Sequence, residues 1–476
     1  MIAGFTDISF WIFFAVVLLG MSLFYNRLPI RNGFLFLCSL FFYFKAGGYF
    51  VGLLLFSIII NYLMAQITAT SKLARIFCAS FAIIINLLLL FYFKYIDFLN
   101  SLCSDIFGAT LVAEQFSPTL LGLALPVGIS FYTFTAISYI VDVYKRRTVA
   151  VKNFIDFGFY LSFFPTVLAG PILRATDIVP QLRKYYQVTS REFSIALFFI
   201  LGGLVKKIVV ADFIALQFVN RVFENPTLYT GLENWMAMYG YAVQIYCDFS
   251  GYTDIAIGLA LLLGFKIPLN FNSPYKAASL TEFWHRWHIS LSTWMRDYIY
   301  IPLGGNKKGS ARTVINVFVT MVIGGLWHGA ALKFVIWGAI HGVALVVEKI
   351  FLWTKITAAP KRIIGLFFTF HIVCFAWIFF RADSFDKALV MIEQLFTPTA
   401  SSLEIAWQII KNYAIVFSLI VITLVLHLLP SKVKKGYREV FYDLPLIIKF
   451  FAVLAVLAII YFFKTTDLQP FIYFRF

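Results

Sequence analysis

Two adjoining segments, TEFWHRWHISLSTWMRDYIYIPLGGNKKG (281–309) and NVFVTMVIGGLWHGAALKFVIWGAIHG (316–342), contain four of the six histidines of the chain. One of them, His328, follows the run Val317–Trp327, whose composition is typical of the membrane interior. An ionisable side chain at that depth is costly, which makes His328 a candidate functional residue. A core histidine that hydrogen-bonds a backbone carbonyl is the alternative interpretation of the same pattern.

The amino-acid composition indicates that the whole chain is a membrane protein. Of its 476 residues, 61% are hydrophobic and only 13% are charged, whereas a soluble surface needs a larger charged share. Apolar runs of about twenty residues recur along the chain. We therefore predict an all-α polytopic membrane protein with about eleven or twelve transmembrane helices plus re-entrant or interfacial helices.

Apolar runs and polar breaks predict fourteen candidate helices. They are residues 8–25, 33–45, 48–68, 74–98, 119–143, 154–171, 193–219, 235–263, 282–300, 313–330, 333–354, 363–380, 407–429 and 445–464. The first begins near Asp7 and is not preceded by the basic segment of a cleavable signal, so we expect it to stay attached. No internal repeat is visible, and we predict one integral membrane domain over residues 1–476.

The net charge of +16 comes mostly from basic residues in the connecting segments. Such residues are typical of the positive-inside bias and of contact with anionic lipid headgroups. They are dispersed along the chain, which argues against nucleic acid as a partner. The five cysteines are isolated, so their spacing predicts neither a metal site nor a disulfide framework.

Two carboxylates, Asp248 and Asp254, fall inside one apolar candidate helix. On a helix Asp248 shares a face with Tyr252, four residues later. Buried carboxylates usually persist because they are paired, so we expect these two to support the scaffold by pairing with arginines such as Arg286 or Arg296. A catalytic role is the alternative.

Three further patterns carry expectations about shape. One continuous helix over 282–300 would place His288 and Ser292 on one face and Trp287 in an aromatic face. Pro and Gly within the apolar run 125–134 predict a broken or kinked helix that lines a cavity. Arg174 follows a Gly-Pro break and is expected either to hold an anionic group or to mark a membrane face.

The sequence resembles the membrane-bound O-acyltransferase family, and most closely its bacterial polysaccharide branch. The matching segments are LPVGISFYTF (125–134), YIVDVYK (139–145), FFPTVLAGPILR (163–174), QIYCDFSGYTDIAIGLALLLGF (244–265), FWHRWHISLSTWMRDYIYIPLGGN (283–306), GGLWHGAALKFVIWGAIHG (324–342), FAWIFFRA (375–382) and FIYFRF (471–476). Residues 1–120 match mainly in being apolar, so the resemblance implies a catalytic core at about 121–380. It also implies a bundle of helices around a central tunnel.

The resemblance implies two catalytic histidines. The invariant histidine of the family falls on His328, and the second polar residue of its tunnel falls on His288. Trp327 and Gly329 would shape the tunnel wall and allow close approach. The remaining residues expected along the tunnel or in substrate binding are Trp287, Ser292, Asp248, Tyr252, Asp254, Arg174 and His285. Among these, His285 departs from the Arg or Asn that relatives more often have, which leaves it open between tunnel and surface.

The resemblance further implies that an acetyl group passes from cytoplasmic acetyl-coenzyme A through the membrane to a cell-envelope or secreted polysaccharide. Acetyl-coenzyme A would be the acyl donor, with no permanently bound cofactor. A separate periplasmic or cell-surface SGNH-type transferase would complete the reaction, and the location would be the bacterial inner membrane. Alginate-like exopolysaccharide, peptidoglycan and acetylated cellulose all remain open as acceptors.

The chemistry expected of the two histidines is acyl transfer. His328 would serve either as general base for an attacking hydroxyl or as the site of a transient acyl-imidazole, and His288 would polarise the carbonyl or orient the acceptor. Two other functions share some features of the sequence. A transporter or flippase for a glycan or lipid precursor also has intramembrane Asp and His, and a non-catalytic membrane scaffold would tolerate the loss of His328.

Overall fold

The computed structural model describes residues 4–69, 72–108, 110, 112, 117–351, 359–397, 403–464 and 471–472. These residues form helices and turns without a strand, which confirms the all-α class. The α-helices are α1 (Ile8–Phe24), α2 (Leu28–Gly47), α3 (Val51–Thr68), α4 (Lys72–Lys94), α5 (Ile96–Phe107), α6 (Ile129–Tyr144), α7 (Phe154–Ser162), α8 (Ala175–Leu182), α9 (Ser190–Leu204), α10 (Asn220–Glu224), α11 (Gly231–Leu262), α12 (Leu280–Trp284), α13 (Ile289–Met295), α14 (Ser310–His328), α15 (Leu332–Ile350), α16 (Ala359–Arg381), α17 (Phe385–Phe396), α18 (Leu403–Asn412), α19 (Ala414–Leu428), α20 (Ser431–Asp443) and α21 (Leu446–Phe463).

The described residues contain fewer candidate membrane-spanning helices than the expected eleven or twelve. Within the described residues, seven helices are long and apolar enough to cross a membrane, or eight if the bent pair α18–α19 is one span. That pair was expected as one helix over 407–429, yet its two halves meet at 82°. The difference arises because several apolar runs, such as the one that forms α7, become helices of fewer than eighteen residues.

The contacts divide the chain into two compact units, and the prediction of one domain stays a prediction. The first unit is Met1–Ala196 with Ala256–Pro268. Buried polar side chains pair within it, as membrane helices require. Asn32 of α2 donates to Asp156 of α7 at 2.8 Å, and the Asn86 side chain of α4 donates to Asn61 of α3 at 2.9 Å. These bonds join α2 to α7 and α3 to α4.

Two predictions in the first unit were wrong about where helices begin and end. The expected broken helix over 119–143 is a set of turns followed by α6. Its N-terminal cap is Gly128 at φ +74°, where a Cβ would lie 2.5 Å from the carbonyl oxygen of Val167. Pro and Gly thus precede the helix instead of kinking it. The helix expected over 154–171 ends at Ser162, three residues before Pro165. A proline disfavours helical geometry in the residue that precedes it, so a helix tends to end before that residue.

The second unit, Leu197–Ile255 with Leu269–Phe476, contains the two segments rich in histidine. Within it, α14 packs against α15. A Cβ on Gly325 would lie 2.2 Å from the carbonyl oxygen of Phe334, and one on Gly338 would lie 2.5 Å from that of Met321. The two glycines therefore allow the backbones to approach at close range, as small residues do in membrane helix packing.

The prediction of one continuous helix over 282–300 was also wrong. His288 takes a left-handed conformation, with φ +42°, so that α12 ends before it and α13 begins after it. Residues Arg296–Tyr300 then continue α13 as a π-helical turn. Non-glycine residues rarely adopt positive φ, and such conformations concentrate at functional sites. The break gives His288 a direction that helical periodicity does not predict.

Candidate functional site

His328 is the last residue of α14 and is 3% exposed. The helix ends there because Gly329 is extended, with φ −166° and ψ 152°. Three aromatic rings surround the imidazole edge-to-face, those of Trp327, Trp337 and Phe380, at centroid distances of 5.0, 5.0 and 5.1 Å. The side chain is therefore held in a defined orientation inside an aromatic shell.

Gly329 matters because no side chain fits at its position. A Cβ there would lie 2.1 Å from the Phe334 ring, and Phe334 is itself 3% exposed. The chain therefore passes close to a buried ring at this glycine, and the expected role of Gly329 in the tunnel wall stays a prediction. The missing side chain lets Phe334 pack beside the residue that follows His328.

His288 is fully buried, and its conformation is fixed by Asn270. The Nδ1 of His288 lies 3.2 Å from the side-chain oxygen of Asn270. The same oxygen accepts hydrogen bonds from the backbone N–H of Ser290 at 3.1 Å and from its hydroxyl at 2.9 Å. Asn270 therefore caps the start of α13 and orients the imidazole that precedes it. Asn270 was not among the predicted site residues, although it lies in the polar turn before this segment.

Burial lowers the pKa of the His288 imidazole from 6.5 to about 3. The ring therefore stays neutral at physiological pH, with one nitrogen that donates and one that accepts a hydrogen bond. A neutral imidazole is the form that accepts a proton or polarises a carbonyl by hydrogen bonding.

One tryptophan connects the two histidines. The ring of Trp327 lies 5.8 Å from that of His288 and 5.0 Å from that of His328, between ring centroids. His288 also packs edge-to-face on Phe249 of α11, at 4.7 Å. The structure thus brings His328, His288 and Trp327 together.

A cavity of about 190 Å³ opens beside His328. Its lining residues come from α12, α13 with its π-helical turn, α14 and α15; they are Trp284, Leu291, Ser292, Met295, Arg296, Tyr300, Val317, Thr320, Met321, Gly324, His328, Trp337 and Leu345. His328 thus contacts a space that could admit a substrate, and its catalytic role stays a prediction.

The other predicted residues of this segment divide between the cavity and its surroundings. Ser292 lines the cavity, and its hydroxyl donates to the Trp287 carbonyl at 3.1 Å. Trp287 is fully buried among aromatic rings, including that of Trp377 at 5.1 Å, and does not line this cavity. His285 is exposed at the C-terminal cap of α12, outside the cavity lining. Tunnel roles for Trp287 and His285 stay predictions.

The expected pairing of the two intramembrane aspartates with arginines was wrong, because lysines take that place. Asp248 binds Lys207 at 2.6 Å, and Asp254 binds Lys206 at 2.5 Å. Both lysines lie in the π-helical turn Val205–Asp212, which follows α9 directly. Helical periodicity within α11 could not predict these partners, because the two lysines lie in a different and distant segment of the sequence.

The two arginines named as partners have local acidic neighbours instead. Arg286 pairs with Glu282 at 2.7 Å, four residues earlier, and Arg296 pairs with the adjacent Asp297 at 2.8 Å. Sequence neighbours thus satisfy both guanidinium groups.

The segment that begins at Phe471 reaches the region of Asp248. The Ile472 backbone N–H donates to Asp248 at 2.8 Å, and the Phe471 ring stacks on Tyr252 at 4.6 Å. Residues 473–476 of the FIYFRF motif lie outside the described residues.

Arg174 belongs to the first unit, where it is the N-terminal cap residue of α8 and is half-buried. Its expected role in substrate binding stays a prediction.

Comparison with known proteins identifies the family. The model of the membrane-bound O-acyltransferase family matches residues 145–383, which is half of the chain and includes both His288 and His328. The chain belongs to the membrane-bound O-acyltransferase family. With its several apolar helices, it is a multi-pass membrane protein.

Individual relatives carry three different names. The protein named probable alginate O-acetylase AlgI, from Pseudomonas aeruginosa, is 43% identical over 323 residues, which are 66% of this chain and 59% of that protein. The peptidoglycan O-acetyltransferase of Helicobacter pylori is 35% identical over 391 residues, 75% of this chain and 72% of that protein. The teichoic acid D-alanyltransferase of Bacillus subtilis is 30% identical over 278 residues, 54% of this chain and 69% of that protein. The chain thus spans about three fifths of the length of the alginate O-acetylases that it matches.

Proposed function

We propose that this chain is an O-acetyltransferase of the bacterial inner membrane. It takes acetyl from cytoplasmic acetyl-coenzyme A and passes it across the membrane for O-acetylation of a cell-envelope or secreted polysaccharide. The observation that carries the proposal is the placement of His328, which lines a cavity of about 190 Å³ while Trp327 joins it to a second buried histidine, His288. The names of the relatives, which are O-acetylases and acyltransferases, support the same reaction class.

In this proposal His328 acts at the reacting atoms. Thioester acyl transfer needs a hydroxyl that loses its proton as it attacks the carbonyl, and an imidazole accepts that proton near neutral pH. Alternatively, the His328 imidazole itself attacks the thioester, releases the thiol and forms an acyl-imidazole that the acceptor hydroxyl then resolves. His288, held neutral by burial, orients the acceptor or polarises the carbonyl.

The acceptor and the partner follow from the class of the relatives. Two of the three names refer to O-acetylation of a glycan polymer of the envelope or its exterior. We propose that a separate periplasmic or cell-surface SGNH-type transferase receives the acetyl group and delivers it to the polymer. Membrane lipids surround the apolar helices.

A transporter or flippase is the weaker candidate. A carrier would use intramembrane Asp and Lys groups for coupled transport. Here, however, Asp248 and Asp254 each form an ion pair with a lysine, at 2.6 and 2.5 Å. Such paired groups serve the scaffold well and leave the cavity beside His328 unexplained. Membership of an acyltransferase family also argues against it.

The test is acetyl release from acetyl-coenzyme A carrying a radiolabelled acetyl group, with the purified protein in lipid nanodiscs. We expect His328→Ala to lower the rate by about 100-fold or more, the effect typical of losing a general acid or base. The matched control is His371→Ala, because His371 hydrogen-bonds Tyr239 at 3.0 Å and lines a different cavity. Its rate should stay within about twofold of wild type.

Equal activity in His328→Ala and wild type would reject His328 as the catalytic residue. Transport of an intact glycan or lipid precursor into sealed vesicles, without any acetyl release in the presence of the SGNH-type partner, would reject the acyltransferase itself.

A further inference from the structure

Three basic side chains gather on one side of α20 in the second unit. The Nζ of Lys434, in α20, donates to the Ser273 hydroxyl at 2.7 Å. The Nζ of Lys276 donates to the carbonyl of Leu429, close to the start of the same helix, at 3.0 Å. Arg438 follows Lys434 by four residues and shares its side of the helix. We call Lys276, Lys434 and Arg438 the basic cluster.

The basic cluster carries positive charge that no carboxylate offsets. In the part of the chain that the structure describes, none of its three members forms an ion pair. Two cations nearby, Lys206 and Arg286, are paired instead, with Asp254 at 2.5 Å and with Glu282 at 2.7 Å. The excess of positive charge is therefore local to the cluster, and it suits a ligand that is negatively charged.

The members of the cluster repel one another. Burial, and then the positive charges of Lys276 and Arg438, lower the pKa of Lys434 from 10.5 to about 8. Lys434 therefore still carries its charge at pH 7. Like charges four residues apart destabilise a helix. An anion bound between Lys434 and Arg438 would relieve this repulsion and stabilise α20.

α20 also presents a row of apolar side chains to its surroundings. Val433, Tyr437 and Val440 are exposed, and their spacing at i, i+4 and i+7 places them on one face. The helix joins α19 to α21, and both of these belong to candidate membrane spans. A helix with an exposed apolar face and basic residues beside it is typical of one that lies in the headgroup region of a bilayer.

The acidic residues of α20 lie on another side of the helix. Glu439 and Asp443 follow Lys432 by seven and eleven residues, which at 3.6 residues per turn returns them to the face of Lys432. Lys432 lies nearly opposite Lys434, two residues away. The side of Lys434 and Arg438 is therefore the basic one, and Lys432 offers a matched cation outside the cluster.

We propose that the basic cluster is a binding site for the phosphate headgroup of an anionic membrane lipid. The ammonium groups of Lys276 and Lys434 and the guanidinium of Arg438 donate to phosphate oxygens. The Cζ of Arg438 lies 5.9 Å from the centroid of the Phe198 ring, a contact that helps to hold the guanidinium in place. The acyl chains of the lipid cover the exposed apolar face of α20. That face favours a lipid over a soluble phosphate compound, and the site is independent of the proposed acyl transfer.

The test measures the binding of phosphatidylglycerol to the purified full chain in a neutral detergent by native mass spectrometry, which resolves each bound lipid. Phosphatidylcholine with the same acyl chains is the comparison, because its headgroup has no net charge. We expect phosphatidylglycerol to bind at least about 10-fold more tightly at the first site. Arg438→Gln should raise the Kd for phosphatidylglycerol about fivefold, the contribution typical of one cation near an anionic headgroup. It should leave the Kd for phosphatidylcholine within about twofold.

Two control variants separate loss of the site from a general effect of charge. Lys432→Gln removes one positive charge from the other side of α20, and its Kd for phosphatidylglycerol should stay within about twofold of wild type. Arg438→Lys keeps the charge and should bind phosphatidylglycerol as wild type does. The unfolding midpoint without added lipid should be no lower in any variant than in wild type, which shows that the fold is intact.

Equal Kd values for phosphatidylglycerol and phosphatidylcholine in the wild type would overturn the proposal, because charge would then play no part. Equal weakening by Arg438→Gln and Lys432→Gln would overturn it as well and assign the preference to the net charge of the chain. Glycerol 3-phosphate has a phosphate group and no acyl chain. If it displaces phosphatidylglycerol at equal concentration, the cluster binds a soluble phosphate compound and the lipid is rejected. Displacement by a hexaglutamate peptide at equal concentration would instead assign the cluster to an acidic protein segment.

Discussion

The buried pair of Lys207 and Asp248 offers a quantitative test of whether the intramembrane carboxylates support the scaffold. The two side chains are 8% and 5% exposed, and their charged atoms lie 2.6 Å apart. Replacing Asp248 by Asn keeps the shape and removes the charge. Breaking a buried ion pair costs about 3–5 kcal/mol. Lys207 keeps a second carboxylate, Asp212 at 2.8 Å, so we expect Asp248→Asn to lower the free energy of unfolding by about 2–3 kcal/mol.

The neighbouring pair provides the matched comparison. Lys206 and Asp254 are as close, at 2.5 Å, but their side chains are 31% and 19% exposed. Because partly solvated pairs contribute about 1 kcal/mol or less, Asp254→Asn should cost less than half as much as Asp248→Asn. The assay is unfolding in mixed lipid–detergent micelles of increasing SDS fraction, followed by tryptophan fluorescence. A double-mutant cycle with Lys207→Met should give a coupling of about 2 kcal/mol.

Acetyl release per folded molecule completes the assay. If Asp248 supports the scaffold, the rate measured on folded protein should stay within about threefold of wild type, since Asn preserves the hydrogen bond from Ile472. The reasoning would be refuted if the Asp248→Asn variant unfolds at the same SDS fraction as wild type while its rate of acetyl release falls by orders of magnitude. Equal destabilisation by the two Asn variants would refute the argument from burial.

Three further outcomes are expected. Gly329→Ala should destabilise the fold by about 1–3 kcal/mol, because its Cβ meets the Phe334 ring at 2.1 Å; Gly202→Ala, where a Cβ meets nothing within 4 Å, is the control and should not destabilise it in the same unfolding assay. Burial lowers the pKa of His288 from 6.5 to about 3, so its contribution to stability is complete above pH 6.5 and is lost as the pH falls toward 3. Between pH 7.5 and pH 5 this loss is about 2 kcal/mol, and unfolding of His288→Asn should show less acid sensitivity than wild type. Asn270→Ala should lower both stability, by about 1–2 kcal/mol, and acetyl release, because it removes the cap of α13; unchanged release would contradict its role in orienting His288.

The polytopic helical class was predictable because it depends on composition and run length. A chain with recurrent long apolar runs crosses a membrane as α-helices, since backbone groups within lipid must hydrogen-bond within the segment. Helix ends were predictable where a run stops at charge or turn residues, as for α1, expected over 8–25 and found as Ile8–Phe24. They were not predictable within aromatic runs, where α7 ends early and the segment 282–300 breaks at His288.

Both candidate histidines were identified from sequence, because an ionisable residue inside an apolar motif is conspicuous and the motif resembles that of a known family. Their surroundings were not. The lysine partners of Asp248 and Asp254 lie more than 40 residues earlier in the chain, and the cap that orients His288 comes from Asn270, eighteen residues away. Local periodicity holds no information about such pairs.

The sequence by itself determined that this chain is a helical membrane protein and that His328 and His288 are candidate functional residues, because hydropathy and residue type are local properties. Only the tertiary structure decided that Trp327 joins the two rings, that a cavity opens beside His328, and that Trp284 and Trp337 share its wall. These features depend on how helices distant in sequence pack, and packing is decided by the close fit of many side chains at once.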